Sequence, residues 1–141
     1  MGLAGKSVVV TGASGNLGRV VCARLAQEGA RVVPFVHTKR SPDERAVELT
    51  DERSVEAGFE GLAPIWAVVN CAGGWEGGRP VRDTPVETFE QMISTNLRSC
   101  FLVCRAALRR FGPEGGRIVN VAAHTAAALT GIGGSAAYAA A

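Results

Sequence analysis

Strong charge of either sign is missing from this sequence. Fifteen basic residues stand against thirteen acidic ones over 141 positions, for a formal net charge of +2. They are mixed along the chain, which argues against a dedicated nucleic-acid surface. Aromatic residues are scarce at 6%, and Tyr138 is the single tyrosine. The two histidines, His37 and His124, have no carboxylate or cysteine cluster around them, so no metal site is expected. No apolar run reaches the roughly 18 residues that span a bilayer, and no basic-then-apolar leader opens the chain. The cysteines (Cys22, Cys71, Cys100, Cys104) lack paired-ligand spacing and read as reduced thiols; Cys100 and Cys104 lie four apart in a helical pattern and share a face. These features point to a soluble cytoplasmic protein. The length fits one domain, residues 1–141, and 47% hydrophobic residues can fill its core.

What is present is an alternation of short β-branched runs with longer amphipathic segments. Strands are predicted at Lys6–Val10, Arg31–Val36, Ala46–Leu49, Ile65–Asn70 and Arg117–Val121, most of them apolar enough to be buried on both faces. A helix is predicted from about Asn16 to Glu28, with Leu17, Val21 and Leu25 on one face and Gly29 at its C-terminal cap. A second runs to about Phe59, capped by Thr50 or Asp51. Thr84-Pro85-Val86-Glu87 reads as a capping box with proline at the first helical position. It opens a long helix whose apolar positions run from Phe89 through Leu97 and Phe101 to Phe111, before Gly112-Pro113. Strand–helix alternation at this spacing implies right-handed crossovers and an α/β, doubly wound, Rossmann-type parallel sheet with helices on both faces.

The chemistry begins at Thr11-Gly12-Ala13-Ser14-Gly15-Asn16-Leu17-Gly18. A glycine-rich turn between a buried strand and a helix suits a phosphate: the backbone can approach closely, and the helix N-terminus offers free N–H groups and the positive end of its dipole. The end of the second strand carries Val36 and then His37, Thr38, Lys39 and Arg40. A carboxylate for ribose hydroxyls is missing there, and nearby cations suit a 2′-phosphate, so NADP is favoured over NAD, which stays possible. A solvated basic loop is the plain alternative.

In these residues the chain resembles the short-chain dehydrogenase/reductase family. Thr11–Gly18 is similar to the family's Thr-Gly-x-x-x-Gly-x-Gly turn, with Asn16 at the usual middle glycine and Gly15 one place early. Asn70-Cys71-Ala72-Gly73 resembles its Asn-Asn-Ala-Gly, Asn96 its helix asparagine, Arg117–Val121 its fifth strand and Tyr138 its catalytic tyrosine. Two segments, Ala72–Gly78 and Ala126–Gly131, are similar to dihydropteridine reductase-like members.

The resemblance implies an NAD(P)(H)-dependent oxidoreductase acting on a small carbonyl, ketoacyl or pteridine-like compound. Gly12, Ser14, Gly15, Asn16, Leu17, Gly18, His37, Glu48, Leu49, Asn70, Ala72 and Gly73 would meet the cofactor, and Tyr138 and Asn96 would serve catalysis. The family's serine falls on Thr125 counted back from Tyr138, or on Ala123 counted from the strand; Thr125 could supply a hydroxyl. The pattern also calls for a lysine four residues after Tyr138, at position 142, and for a C-terminal part of the fold missing from this chain, as in a piece of a longer polypeptide. A dimer or tetramer of identical subunits is expected. The rival reading is a non-catalytic dinucleotide-binding or redox-sensing module.

Overall fold

The computed structural model describes residues 2–62, 64–124 and 134–141. These form a five-stranded parallel sheet: β1 (Ser7–Thr11), β2 (Arg31–Val36), β3 (Arg45–Ala46), β4 (Ala67–Asn70) and β5 (Arg117–Asn120), in the order β3-β2-β1-β4-β5. The expected doubly wound sheet is present. The order reverses between β1 and β4, where such sheets open a ligand crevice at the strands' C-terminal ends.

Alternation along the strands sends side chains to two cores. Val9, Val33, Phe35 and Val68 face one side with Val55 and Phe59 of α2 (Glu52–Phe59) and Leu102, Val103 and Ala106 of α4 (Ser99–Leu108). Phe35 and Phe59 meet edge-on with centroids 5.1 Å apart. Glu52 pairs with Arg105, and Glu56 with Arg109 at 2.7 Å, tying α2 to α4. Val8, Val10 and Val36 face the other side, under Val21 and Leu25 of α1 (Asn16–Gln27). Val119 is paired with Val69 on that same face yet is 52% exposed.

Several expected boundaries shift. α1 ends as read, with Gly29 at a φ of 83°. Asp51, not Thr50, caps α2, its carboxylate accepting from the Ser54 N–H. Strand pairing at β3 stops at Ala46, opposite the last residue of β2, so Glu48 and Leu49 lie beyond it. The Thr84 capping box does not form: the helix starts at Val86 with Pro85 as its cap residue, and the Thr84 hydroxyl donates instead to the Pro80 carbonyl at 3.0 Å.

The long helix is three joined segments, α3 (Val86–Met92), a π-helical stretch over Ile93–Arg98, and α4. Met92, Ser99, Leu102, Val103 and Ala106 line the buried face, whereas Leu97, Phe101 and Leu108 lie on the opposite face and are exposed, as is Phe89. A short helix, α5 (Ala136–Ala140), closes the described chain.

Candidate cofactor and active site

Gly12 follows the last residue of β1 at a φ of 62°, where an L side chain is strained, and a Cβ on it would stand 2.8 Å from the Ala72 backbone. A Cβ on Gly18 would overlap the Gly12 carbonyl oxygen. The turn is therefore as tight as a chain can make it, and it lays the α1 N-terminus directly behind the loop that follows β4. Gly15 holds the cap position of α1, and among the described residues no side chain occupies its first N–H groups. Ser14, Gly15, Asn16 and Leu17 are exposed at this mouth, with Asn16 Oδ1 accepting from Arg19 at 3.0 Å.

The floor beside it is a chain of side-chain hydrogen bonds. Thr11 Oγ1 accepts from the Ala72 N–H at 3.2 Å and donates to Asn70 Oδ1 at 3.4 Å. Asn70 Nδ2 donates to Asn120 Oδ1 at 2.8 Å. Thr11, Asn70 and Asn120 sit in register on β1, β4 and β5, so three adjacent strand ends are tied together with Thr11 and Asn70 buried. Buried polar groups need such partners, and the ties fix where the chain leaves β4.

Asn96 reaches this loop from the π-helical stretch. Its Oδ1 accepts from the Gly74 N–H at 2.9 Å and its Nδ2 donates to the Gly74 carbonyl at 3.1 Å. It thus points inward, as expected. Tyr138 comes from α5 and joins Asn70, Gly73, Asn96, Cys100 and Asn120 around a cleft of about 540 Å³. Ala123, one of the two serine-equivalent positions, also lines it; Thr125, the other, lies outside the described residues.

At the far end of the crevice, His37 leaves β2 and faces Glu48, with Nδ1 and Oε2 3.5 Å apart. Hydrogen bonds from the Thr50 hydroxyl and N–H hold the Glu48 carboxyl below its usual range. Leu49 packs against the α2–α4 core. The basic loop is pinned by Glu44, whose carboxylate accepts from the N–H groups of Arg40 at 2.6 Å and Ser41 at 3.0 Å, leaving Lys39 and Arg40 exposed.

The structure therefore brings the Gly12 turn, the Asn70–Gly73 loop, Asn96 and Tyr138 to one crevice, with His37 and Glu48 paired at its edge. Sequence reasoning missed Asn120 as a site residue; its signal was an asparagine at the end of a short β-branched run, as Asn70 is. It also missed the cleft-side placement of Cys100, where burial and the neighbouring Cys104 push the thiol up to about 11.

Residues 46–141 match the family model for short chain dehydrogenases. The chain belongs to the short chain dehydrogenase family. A 3beta-hydroxysteroid dehydrogenase of Mediterraneibacter gnavus is 31% identical over 94% of this chain and 54% of its own length. An NADPH-dependent aldehyde reductase-like protein of Arabidopsis thaliana is 30% identical over 81% and 53%. The chain spans about half the length of these relatives. A dehydrogenase/reductase from Sinorhizobium meliloti superposes with a TM-score of 0.86 at 27% identity, over 99% of this chain and 62% of that one. A Leptospira borgpetersenii short chain dehydrogenase with bound NAD+ shares the fold, with a TM-score of 0.87 at 21% identity over 99% and 61%.

Proposed function

We propose that this family member is the cofactor-binding part of an NADP(H)-preferring oxidoreductase that moves hydride to or from a small carbonyl, ketoacyl or pteridine-like compound. The observation that carries the reading is the shared crevice: the glycine turn packs on Ala72, and the loop from Ala72 runs into the cleft that Asn96 and Tyr138 line.

The residues fit a dinucleotide. A Cβ would fill the cradle at Gly12, and the open α1 N-terminus matches a pyrophosphate in charge and donors. Gly12–Gly18 would hold the phosphates, Asn70–Gly73 the nicotinamide side, and His37, Lys39 and Arg40 a 2′-phosphate, with Glu48 beside the adenosine. The nicotinamide supplies the hydride. Tyr138 donates its hydroxyl proton to the substrate oxygen, or withdraws one in the reverse direction. A tyrosine titrates at about 10, so its use near neutrality needs a cation beside it, the part the resemblance gives to a lysine at position 142. Asn96 acts through Gly74, setting the loop that forms the cleft wall. The names of the two relatives above, an alcohol dehydrogenase of a steroid and an aldehyde reductase, support carbonyl–alcohol exchange as the chemistry.

Exposed Phe89, Leu97, Phe101 and Leu108 support a homo-oligomer built on the α3–α4 face. Free cysteines, and the absence of any helix among the described residues long and apolar enough to cross a membrane, support a cytoplasmic setting. The test is Tyr138→Phe: turnover against a panel of carbonyl compounds is abolished while NADPH affinity is kept. Unchanged turnover excludes Tyr138 as the acid, and binding without turnover in the unmutated protein favours a non-catalytic dinucleotide module.

A further inference from the structure

The two thiols on the cleft side of α4 are not used by this reading. Cys100 and Cys104 place their sulfurs 4.0 Å apart. Asn70 Nδ2 points at both, at 3.7 and 3.4 Å, and Cys104 Sγ lies 3.8 Å from Asn120 Oδ1. Cys100 lines the cleft, so the pair is reached from solvent through it.

We propose that Cys100 and Cys104 are a two-thiolate clamp for a soft d10 cation, Cu(I) before others, set in the wall of the cleft. The spacing fits. Two metal–sulfur bonds of about 2.3 Å meeting at one ion span 4.0 Å when the angle between them is about 120°, the angle of trigonal coordination. A third position then opens toward the cleft. Among the described residues no group of three or more His, Cys, Asp or Glu could hold a metal, so a structural zinc, which takes four protein ligands, is not accommodated, whereas thiolates select Cu(I) by softness.

Disulfide formation does not compete well. It needs Cβ atoms about 3.5–4.5 Å apart, and helical neighbours at i and i+4 hold theirs at about 5–6 Å, so the pair stays a dithiol on an intact α4. Loading forms two Cu–S bonds, breaks two S–H bonds and releases two protons to solvent; copper stays Cu(I) and no electron moves. Asn70, which ties β1 to β5, spends one N–H on Asn120 and has the other for the sulfurs, with Cys104 nearer at 3.4 Å, so the loaded clamp also stiffens the floor of the crevice.

The test is independent of catalysis and of cofactor binding. The purified protein is titrated anaerobically into the Cu(I) complex of bicinchoninate, without dinucleotide, and loss of the probe's colour is followed. One Cu(I) per chain is expected to transfer. Changing even an outer partner of a metal site costs about 10–100-fold in affinity, so Cys100→Ser and Cys104→Ser, each checked for an unchanged thermal melt, should each lose at least that much, while Cys22→Ser keeps the wild-type value. Failure of the unmutated protein to take Cu(I) from the probe overturns the proposal. So does wild-type uptake by folded Cys100→Ser and Cys104→Ser.

Discussion

Asn96 and Gly74 hold each other by two hydrogen bonds, one accepted and one donated by the same side-chain amide. An asparagine amide carries an acceptor oxygen and a donor nitrogen side by side, which matches the N–H and C=O of one residue, and Asn96 presents it from the π-helical stretch Ile93–Arg98. Each such bond contributes about 1 kcal/mol net. Asn96→Ala should therefore release the loop after β4, raising hydrogen exchange at the Gly74 amide about tenfold or more. Asn96→Asp should also fail, since it sets a carboxylate against the Gly74 carbonyl. Unchanged exchange at Gly74 in Asn96→Ala would remove Asn96 as the positioning residue.

Cys100 carries a pH signature. Burial first, and then the Cys104 thiol beside it, raise it from 9.0 to about 11, because both disfavour the thiolate. The folded value is above the unfolded one, so this contribution to stability is fully present below about pH 9 and is lost as pH rises through the folded value. Mass-spectrometric mapping of iodoacetamide labelling should show Cys100 reacting slowly at pH 8, with a rate still climbing at pH 10. A rate already at its plateau by pH 9 would contradict the assignment.

Cofactor choice rests on the exposed loop after β2. Lys39→Ala with Arg40→Ala should weaken NADPH about tenfold, the scale of a lost charge-assisted contact at a solvated site, and leave NADH unchanged. Competition binding of the two dinucleotides checks it. Equal losses for both cofactors would mean that the loop acts on overall charge and not on a 2′-phosphate.

The sheet and its order of elements were legible because strands β1, β2 and β4 are buried on both faces and read as continuous apolar runs. The Gly12 turn was legible because strand, glycines and helix follow one another without a gap. β3 was overread: Ala46-Val47-Glu48-Leu49 alternates like a strand, but its partner β2 ends opposite Ala46, a limit that no local pattern carries. Helical periodicity found the long helix but not which of its apolar faces is buried: Leu102, Val103 and Ala106 are, and Leu97 and Phe101 on the opposite face are exposed. The Thr84 box failed because a nearer carbonyl, that of Pro80, captured the hydroxyl. That Cys100 and Cys104 share a face was legible from their spacing, but that they and Asn120 meet Asn70 follows from strand register and the docking of α4, which are tertiary facts.

Whether the crevice between β1 and β4 binds a nicotinamide dinucleotide is read by titrating the purified protein with NADPH and NADH and following nicotinamide fluorescence. The predicted result is saturable binding, tighter for NADPH. It should fall by more than about tenfold in Gly12→Ala, whose new Cβ meets Ala72 at 2.8 Å and forces an L side chain into a region that costs about 1–2 kcal/mol. No response to either dinucleotide, or undiminished binding by folded Gly12→Ala, would remove the crevice as a dinucleotide site.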